Sequence, residues 1–134
     1  MVKTTMADIP LATQPEKSFS VLASAGTGKT WLLVARLTRL LLHGAQLDAI
    51  LAITFTRKAA GEMQQRLNER LRELLEADEQ QLDTMLTSMG ETPAADIRRR
   101  ARNLLEQALR CEQNLRSTTF HSFCQELLQR FPLE

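Results

Sequence analysis

Short strand-like runs and longer amphipathic stretches follow one another along the chain. The short runs lie at 18–23, 49–55 and 115–120, and each predicts a short β-strand. The stretches that follow them place leucine and alanine at spacings of three and four residues, which is typical of helices. The order strand, helix, strand, helices, strand, helix predicts an α/β fold, with a parallel sheet and crossover helices.

Hydrophobic periodicity also predicts where the helices lie and which faces they bury. One helix begins at Lys29 and ends near His43, just before Gly44. The longest helix follows the second strand, and its apolar face comprises Ala59, Ala60, Met63, Leu67, Leu71, Leu74 and Leu75. A further helix from Ala94 to about Cys111 is predicted to turn one face inward, comprising Ile97, Ala101, Leu104, Leu105, Ala108 and Leu109.

The chain divides into a polar start and a single domain. Residues 1–17 contain Pro10 and Pro15 and predict an N-terminal arm or loop. Residues 18–134 are then one incomplete domain with a helical insertion at about 76–114, and the chain looks like the front part of something larger. A sheet of only three strands leaves an open edge, so we expect self-association.

Composition indicates a folded globular protein, with 43% hydrophobic and 25% charged residues and a net charge of +1. The absence of tyrosine argues against an aromatic-rich binding face. Cations nevertheless cluster in two runs, which matters more for polyanion binding than the net charge does. The first run is Arg57, Lys58, Arg66, Arg70 and Arg72, and the second is Arg98, Arg99, Arg100 and Arg102. The second run fits a solvated helix face as well as it fits a polyanion contact.

Targeting signals are lacking in the sequence. Cys111 and Cys124 have no metal-ligand spacing and are interpreted as reduced thiols of a cytosolic protein. The first residues lack the apolar core of a signal peptide, and no apolar run approaches the roughly 18 residues of a membrane span. We therefore expect a cytoplasmic location and no membrane partner.

The sequence GTGKT, residues 26–30, lies between the first predicted strand and the helix that follows it. Glycines in such a turn let successive backbone N–H groups point at phosphate oxygens, and the helix N-terminus adds partial positive charge. Lys29 can bridge the outer phosphates, and the Thr30 hydroxyl can bind Mg²⁺. The first position of the full phosphate-loop pattern is Ala23 rather than glycine, so an ordinary glycine turn stays open as an alternative.

Two further motifs follow the second and third predicted strands. The carboxyl ends of parallel strands meet at one edge of a sheet, where ligands bind in open α/β folds. The first motif provides hydroxyls, an aromatic ring and cations suited to single-stranded nucleic acid: Thr54, Phe55, Thr56, Arg57 and Lys58. The second motif repeats the arrangement with Thr119, Phe120 and His121. His121 has no partner spaced for a catalytic triad, and a packing role suits it better.

Three motifs in this order resemble those of superfamily 1 DNA helicases of the UvrD/Rep/RecB type. They are ASAGTGKT, then ITFTRKAAGEMQQRL, then TFHSFCQELLQRFPLE. Alanine at the first phosphate-loop position is usual in that family. The final motif looks most like the AddA branch, the helicase–nuclease subunit of double-strand-break repair, with RecB a close second. The resemblance covers about 18–134 and is loose across 76–114.

The resemblance implies a partial RecA-like P-loop NTPase domain, called motor domain 1A in these helicases. It implies ATP and Mg²⁺ as cofactors, and the matching nucleotide-binding positions are Ala23, Ser24, Ala25, Gly26, Thr27, Gly28, Lys29 and Thr30. Lys29 matches the catalytic lysine and Thr30 the Mg²⁺ ligand. The two later motifs match segments that contact DNA. The parent protein would couple ATP hydrolysis to 3′-to-5′ translocation and unwinding; it could carry an exonuclease activity, and it would work with a partner subunit.

The sequence departs from the family pattern in two respects. The adenine-reading glutamine has no counterpart at its usual position, where Asp8 and Ile9 stand, and Gln14 lies too close to Lys29. The chain also lacks the acidic motif that activates water and the second motor domain. We therefore expect weak nucleotide binding with little hydrolysis.

Two alternative functions stay open. A small P-loop kinase would need a lid arginine cluster, for which 98–102 is the sole candidate. A non-enzymatic module that docks on DNA or a repair partner would bind single strands with a steep salt dependence and ignore ATP.

Overall fold

The structure, a computed structural model, describes residues 9–22, 28–110 and 115–131. Helices dominate it. In chain order the elements are α1 (Ile9–Ala12), α2 (Lys29–Leu42), a 3₁₀ turn (Leu47–Ala49), β1 (Leu51–Thr54), α3 (Arg57–Glu76), α4 (Glu79–Ser88), α5 (Ala95–Arg110), β2 (Arg116–Thr119) and α6 (Phe120–Arg130). None of the described helices has the length and apolar character needed to cross a membrane.

The described strands form a two-stranded parallel sheet. Leu51 pairs with Arg116 at one end, and Thr54 pairs with Thr119 at the other. Parallel pairing requires a long crossover, which α3, α4 and α5 provide. The prediction of an α/β fold with a parallel sheet and crossover helices is therefore confirmed at this level, and the finer RecA-like assignment stays a prediction.

The apolar stripe of α3 lies at the centre of the core. Met63, Leu67, Leu71 and Leu74 are nearly or fully buried, at the three- and four-residue spacings that predicted this face. The helices α2 and α5 pack against α3, and so do both strands. The core cluster also contains Leu42 of α2, and Leu82 and Leu86 of α4.

The helix α4 begins with a capping box, which explains why a helix forms in this polar region. The Asp78 side chain accepts a hydrogen bond from the Gln81 N–H at 2.7 Å, and the Gln81 side chain accepts one from the Asp78 N–H at 3.1 Å. These reciprocal bonds satisfy N–H groups that a helix start otherwise leaves open. The predicted helix-rich character of 76–114 is thus confirmed for its described part, although its status as an insertion stays a prediction.

Three details of the sequence prediction are wrong. The predicted strand at 18–23 is absent from its described part, 18–22, because no described strand lies beside it to complete a hydrogen-bond ladder. Leu22 is 66% exposed there. Leu75 and Leu109 were predicted to face the core but are 43% and 76% exposed, since they lie outside the arc that the neighbouring helices cover.

The described part of the predicted arm, 9–17, packs against the helical core. Ala12 and Thr13 are buried, and the Thr13 hydroxyl donates to the Met89 carbonyl at 2.8 Å. Gly90 lies directly below α1 with a φ of +89°, and a Cβ built on it would lie 2.6 Å from the Pro10 Cα. Gly90 therefore provides both a left-handed backbone and the space that α1 occupies.

Substitution Gly90→Ala should lower the free energy of unfolding by about 2–4 kcal/mol, because it adds left-handed strain and a backbone clash. Gly44→Ala is the matched control, since Gly44 has a φ of +95° but open space around its Cβ position. The control should lose only about 1–2 kcal/mol. Urea unfolding followed by circular dichroism measures both values, and equal losses would show that α1 does not depend on Gly90.

Candidate functional site

The predicted phosphate loop is described only at its end. Residues 23–27, which include the predicted nucleotide-binding positions Ala23, Ser24, Ala25, Gly26 and Thr27, lie outside the described residues. Gly28 has a φ of +80° and occupies the N-cap position of α2, which begins at Lys29. A left-handed glycine at this point lets the backbone turn sharply into the helix.

The N-terminus of α2 differs from three other helix starts in the structure. Thr56, Asp78 and Thr119 each place a side-chain oxygen on a first-turn N–H group of α3, α4 or α6. Among the described residues no side chain caps α2 in this way. Lys29 and Thr30 are exposed in the first turn of α2. The start of α2 therefore offers first-turn backbone N–H donors and the Lys29 ammonium group to an anion.

A cleft of about 460 Å³ lies beside Lys29. One wall comes from α2, and the opposite wall comes from the segment that precedes the predicted phosphate loop. Its lining residues are Ala12, Ser18, Phe19, Val21, Lys29, Leu32, Leu33 and Arg36. The cleft is mostly apolar, and its lining includes the cations Lys29 and Arg36, so it suits a ligand with both apolar and anionic parts.

The two predicted DNA-contact motifs come together at one edge of the sheet. Thr54 and Thr119 are register partners at the carboxyl ends of β1 and β2, and α3 and α6 begin just beyond them. We call this region the strand-end surface; it comprises Thr54, Phe55, Thr56, Arg57, Lys58, Thr119, Phe120 and His121. The juxtaposition follows from the parallel pairing.

The threonine hydroxyls of the strand-end surface serve local structure. Thr54 Oγ1 donates to the Thr56 carbonyl at 2.9 Å, and Thr56 Oγ1 accepts from the Ala59 N–H at 3.1 Å. Thr119 Oγ1 accepts from the Ser122 N–H at 3.2 Å. These hydroxyls fix the two helix starts, and their predicted contact with phosphates stays a prediction.

The aromatic and cationic members of the same surface point outward. Phe55 is 94% exposed and Phe120 is 54% exposed. The His121 ring meets the Phe120 ring edge-on, with centroids 6.5 Å apart. Arg57 and Lys58 are exposed at the start of α3, and Lys58 makes a long ion pair of 3.9 Å with Glu62. An exposed ring beside cations is the arrangement that single-stranded nucleic acids stack on.

The second arginine run is largely used inside the protein. Arg98 makes two hydrogen bonds of 2.6 Å to the Asp83 carboxylate of α4. That hydrogen bonding lowers the pKa of Asp83 below its usual range. Arg100 donates to the Leu42 carbonyl of α2, and Arg102 to the Leu75 carbonyl of α3. These arginines hold α5 against three helices, so the lid cluster that a kinase would need has no support here.

Sequence reasoning missed two residues beside the candidate site, Arg36 and Arg39 of α2. Arg39 is 7% exposed and binds the Glu91 carboxylate, the Pro10 carbonyl and the Thr13 hydroxyl. Arg36 binds backbone carbonyls of the arm. The sequence did contain a signal for them, because two arginines three residues apart in a mostly apolar helix need buried partners.

The helix α6 is attached to the sheet by an ion pair. Arg116 at the start of β2 binds Glu126 of α6 at 2.6 Å, and Arg130 binds the same carboxylate at 3.2 Å. The hydrogen bond from Arg116 lowers the pKa of Glu126 below its usual value of 4.5. This pair fixes the direction of the helix that carries Phe120 and His121.

Comparison with known proteins places this sequence among helicases. Residues 7–134 match the family described as the UvrD/REP helicase N-terminal domain. Curated relatives, each named as a subunit of an ATP-dependent helicase/nuclease, are similar over most of the chain. The relative from Levilactobacillus brevis is 35% identical over 88% of this chain, and that from Desulforudis audaxviator is 37% identical over 87%. The relative from Latilactobacillus sakei is 35% identical over 83%.

These relatives are far longer than the chain, which spans 8–10% of their length. No solved structure gives a significant match. The resemblance to UvrD/Rep/RecB helicases, and within them to the AddA branch, is confirmed by the family match and by the names of these relatives.

The Arg116–Glu126 pair should make the docking of α6 sensitive to acid. Because the folded-state pKa of Glu126 is depressed, its stabilisation is present above about pH 4.5 and is lost as the pH falls through the lower folded value. An NMR titration of the Glu126 carboxyl should show this depressed pKa. Arg116→Met should return the pKa toward 4.5, and an unchanged titration in that variant would contradict the assigned cause.

Proposed function

Since the chain belongs to the family of the UvrD/REP helicase N-terminal domain, we propose that it provides the ATP-binding and DNA-contacting front of a helicase motor. The observation that carries this proposal is the start of α2, where left-handed Gly28 leads into a helix that bears exposed Lys29 and Thr30 and that no described side chain caps. The mixed α/β architecture supports the proposal further, because it brings two outward-facing motifs to one sheet edge.

The nucleotide phosphates would bind at the N-terminus of α2. The first-turn N–H groups and the helix dipole favour anions, and Lys29 adds a full positive charge. Predicted positions 23–28 would complete the cradle. The cleft beside Lys29 offers space of about 460 Å³ for the rest of the nucleotide.

Thr30 is the residue of this site that would hold magnesium. Mg²⁺ prefers oxygen ligands and usually keeps several waters, so one hydroxyl together with phosphate oxygens suits it. Thr30 is exposed one residue after Lys29, which fits this role. When bound, the ion would neutralise phosphate charge during hydrolysis.

Single-stranded DNA would bind along the strand-end surface. Phe55 would stack on a base, while Arg57 and Lys58 would bind phosphates at the start of α3. Phe120 and His121 extend the surface to the start of α6. Because Thr56 and Thr119 cap these two helices, the backbone that presents the outward side chains is fixed before DNA arrives.

We propose that a full-length protein has the activity that the relatives' names print, that of an ATP-dependent helicase/nuclease. In keeping with the resemblance to superfamily 1 helicases, it would couple hydrolysis to 3′-to-5′ movement along DNA, with nuclease action and a partner subunit elsewhere in the assembly. The chain of 134 residues alone should bind ATP and DNA weakly and hydrolyse little, since catalysis also needs an acidic motif and arginine fingers from outside this sequence. We propose a cytoplasmic location, as suits chromosomal repair.

Substitution Lys29→Ala should weaken Mg-ATP binding by about 10- to 100-fold, because hydrogen bonds to charged groups contribute roughly 1.5–3 kcal/mol. Isothermal titration with and without Mg²⁺ measures the effect. Arg110→Ala is the control, since Arg110 is an exposed cation paired with Glu106 on α5, and its affinity should match the wild type. Equal affinity in Lys29→Ala and wild type would refute the phosphate site.

Substitution Phe55→Ala should weaken binding of a single-stranded oligonucleotide by about 5- to 100-fold, since stacking contributes roughly 1–3 kcal/mol per base. Phe131→Ala is the matched control, because Phe131 is also exposed, at 72%, but lies at the far end of α6. Fluorescence anisotropy at several salt concentrations reports both variants. DNA binding that ignores ATP would favour a non-enzymatic binding module instead.

A further inference from the structure

We infer that Arg36 is a positioning residue of the nucleotide site, which holds the chain segment before the phosphate loop against the helix after it. This inference rests on the proposed function, because it assigns Arg36 a role in nucleotide affinity. Arg36 is not assigned to the nucleotide or DNA positions that the sequence motifs predict. It acts through the backbone of the arm rather than by touching the nucleotide.

The guanidinium group of Arg36 contacts several residues of the segment 12–19. Its Nη1 donates to the Gln14 carbonyl at 2.7 Å and to the Ala12 carbonyl at 3.4 Å. Its Nη2 donates to the Lys17 carbonyl at 2.6 Å. The guanidinium carbon also lies 5.8 Å from the centre of the Phe19 ring, within the range of a cation–π contact. One side chain therefore fixes the path of 12–19.

The position of Arg36 on α2 links these contacts to Lys29. The two residues are seven positions apart, which is about two helical turns and places them on the same side of the helix. Both line the same cleft, together with Phe19 and Val21 of the segment that Arg36 holds. The wall opposite α2 is thus attached to α2 by Arg36.

Arg36 consequently holds one wall of the cleft on the helix that provides the other wall. It binds the Lys17 carbonyl, just before Ser18, Phe19 and Val21 of that wall. A wall that is already held in place has less conformational freedom to lose when a ligand fills the cleft. Such pre-organisation raises affinity without any added ligand contact.

Arg39 secures the beginning of the same arm, one turn farther along α2. It donates to the Pro10 carbonyl at 2.9 Å and to the Thr13 hydroxyl at 2.8 Å, and its Nε binds Glu91. We therefore expect the arm to stay on α2 when Arg36 is changed. Because Arg39 still attaches the arm to α2, Arg36 variants can test the effect on nucleotide affinity without detaching the whole arm.

A purely structural arginine would behave differently from a positioning residue. Loss of a structural contact lowers the midpoint of thermal unfolding but leaves nucleotide affinity unchanged in the folded state. Arg102 provides the matched comparison, since its guanidinium also donates to a backbone carbonyl, that of Leu75 near the end of α3.

The experiment compares wild type, Arg36→Met, Arg36→Lys and Arg102→Met in the 134-residue chain. Titration with a fluorescent ATP analogue and Mg²⁺ gives the affinity, and amide hydrogen exchange reports the protection of 12–22. Arg36→Met should bind roughly tenfold more weakly and exchange faster in that segment, because the segment must then be ordered on binding. Arg36→Lys keeps the charge without the planar fork of donors and should recover part of the affinity.

The outcomes separate the inference from the proposed function. Arg102→Met should bind like wild type even where its unfolding midpoint falls. Wild-type affinity in a folded Arg36→Met would overturn the inference and leave the nucleotide site standing. Failure of the wild-type chain to bind Mg-ATP would overturn the proposed function, and the inference with it.

Discussion

Burial of one apolar stripe on α3 determines how the rest of the protein is arranged. Leu67, Leu71 and Leu74 are almost inaccessible to solvent, and they are covered by helices that precede and follow α3 in the sequence. Because α2 and α5 pack on α3 while both strands lie beside it, the start of α2 and the strand-end surface share one supporting helix. The candidate nucleotide and DNA contacts thus depend on a helical core that contains none of them.

Much of the fold could be predicted from the sequence because local rules govern it. Three- and four-residue periodicity predicted α2, α3 and α5, and the parallel-strand rule brought Thr54 and Thr119 to one edge. The predicted strand at 18–23 failed in its described part, since a strand exists only where a neighbour completes its ladder. Likewise, Leu109 has helical spacing, but only the packing of other helices decides which positions of a stripe are covered.

Charge was harder to interpret from the sequence than apolar pattern was. The sequence of the run 98–102 is the same whether its arginines bind phosphates or carbonyls, and the structure gives Arg98, Arg100 and Arg102 carboxylate or carbonyl partners on three helices. Arg36 and Arg39 illustrate the converse, because they belong to none of the motifs yet fasten the described arm to α2. Long cations find partners far away in sequence, so local pattern carries little information about them.

The parallel pairing of β1 with β2 has a consequence for how loss-of-binding variants are understood. Two four-residue strands do not form a stable sheet alone, and here the entire α3–α5 region separates them in the chain. The two strands are distant in sequence, so their pairing carries a loop-closure entropy cost. The packing of the helices offsets that cost, rather than the hydrogen bonds between the two strands. A destabilising substitution in the core, at Leu71 for example, would therefore separate the two strands and disrupt the strand-end surface, although Leu71 is not part of that surface. In a binding assay the result would look the same as the loss of a DNA contact.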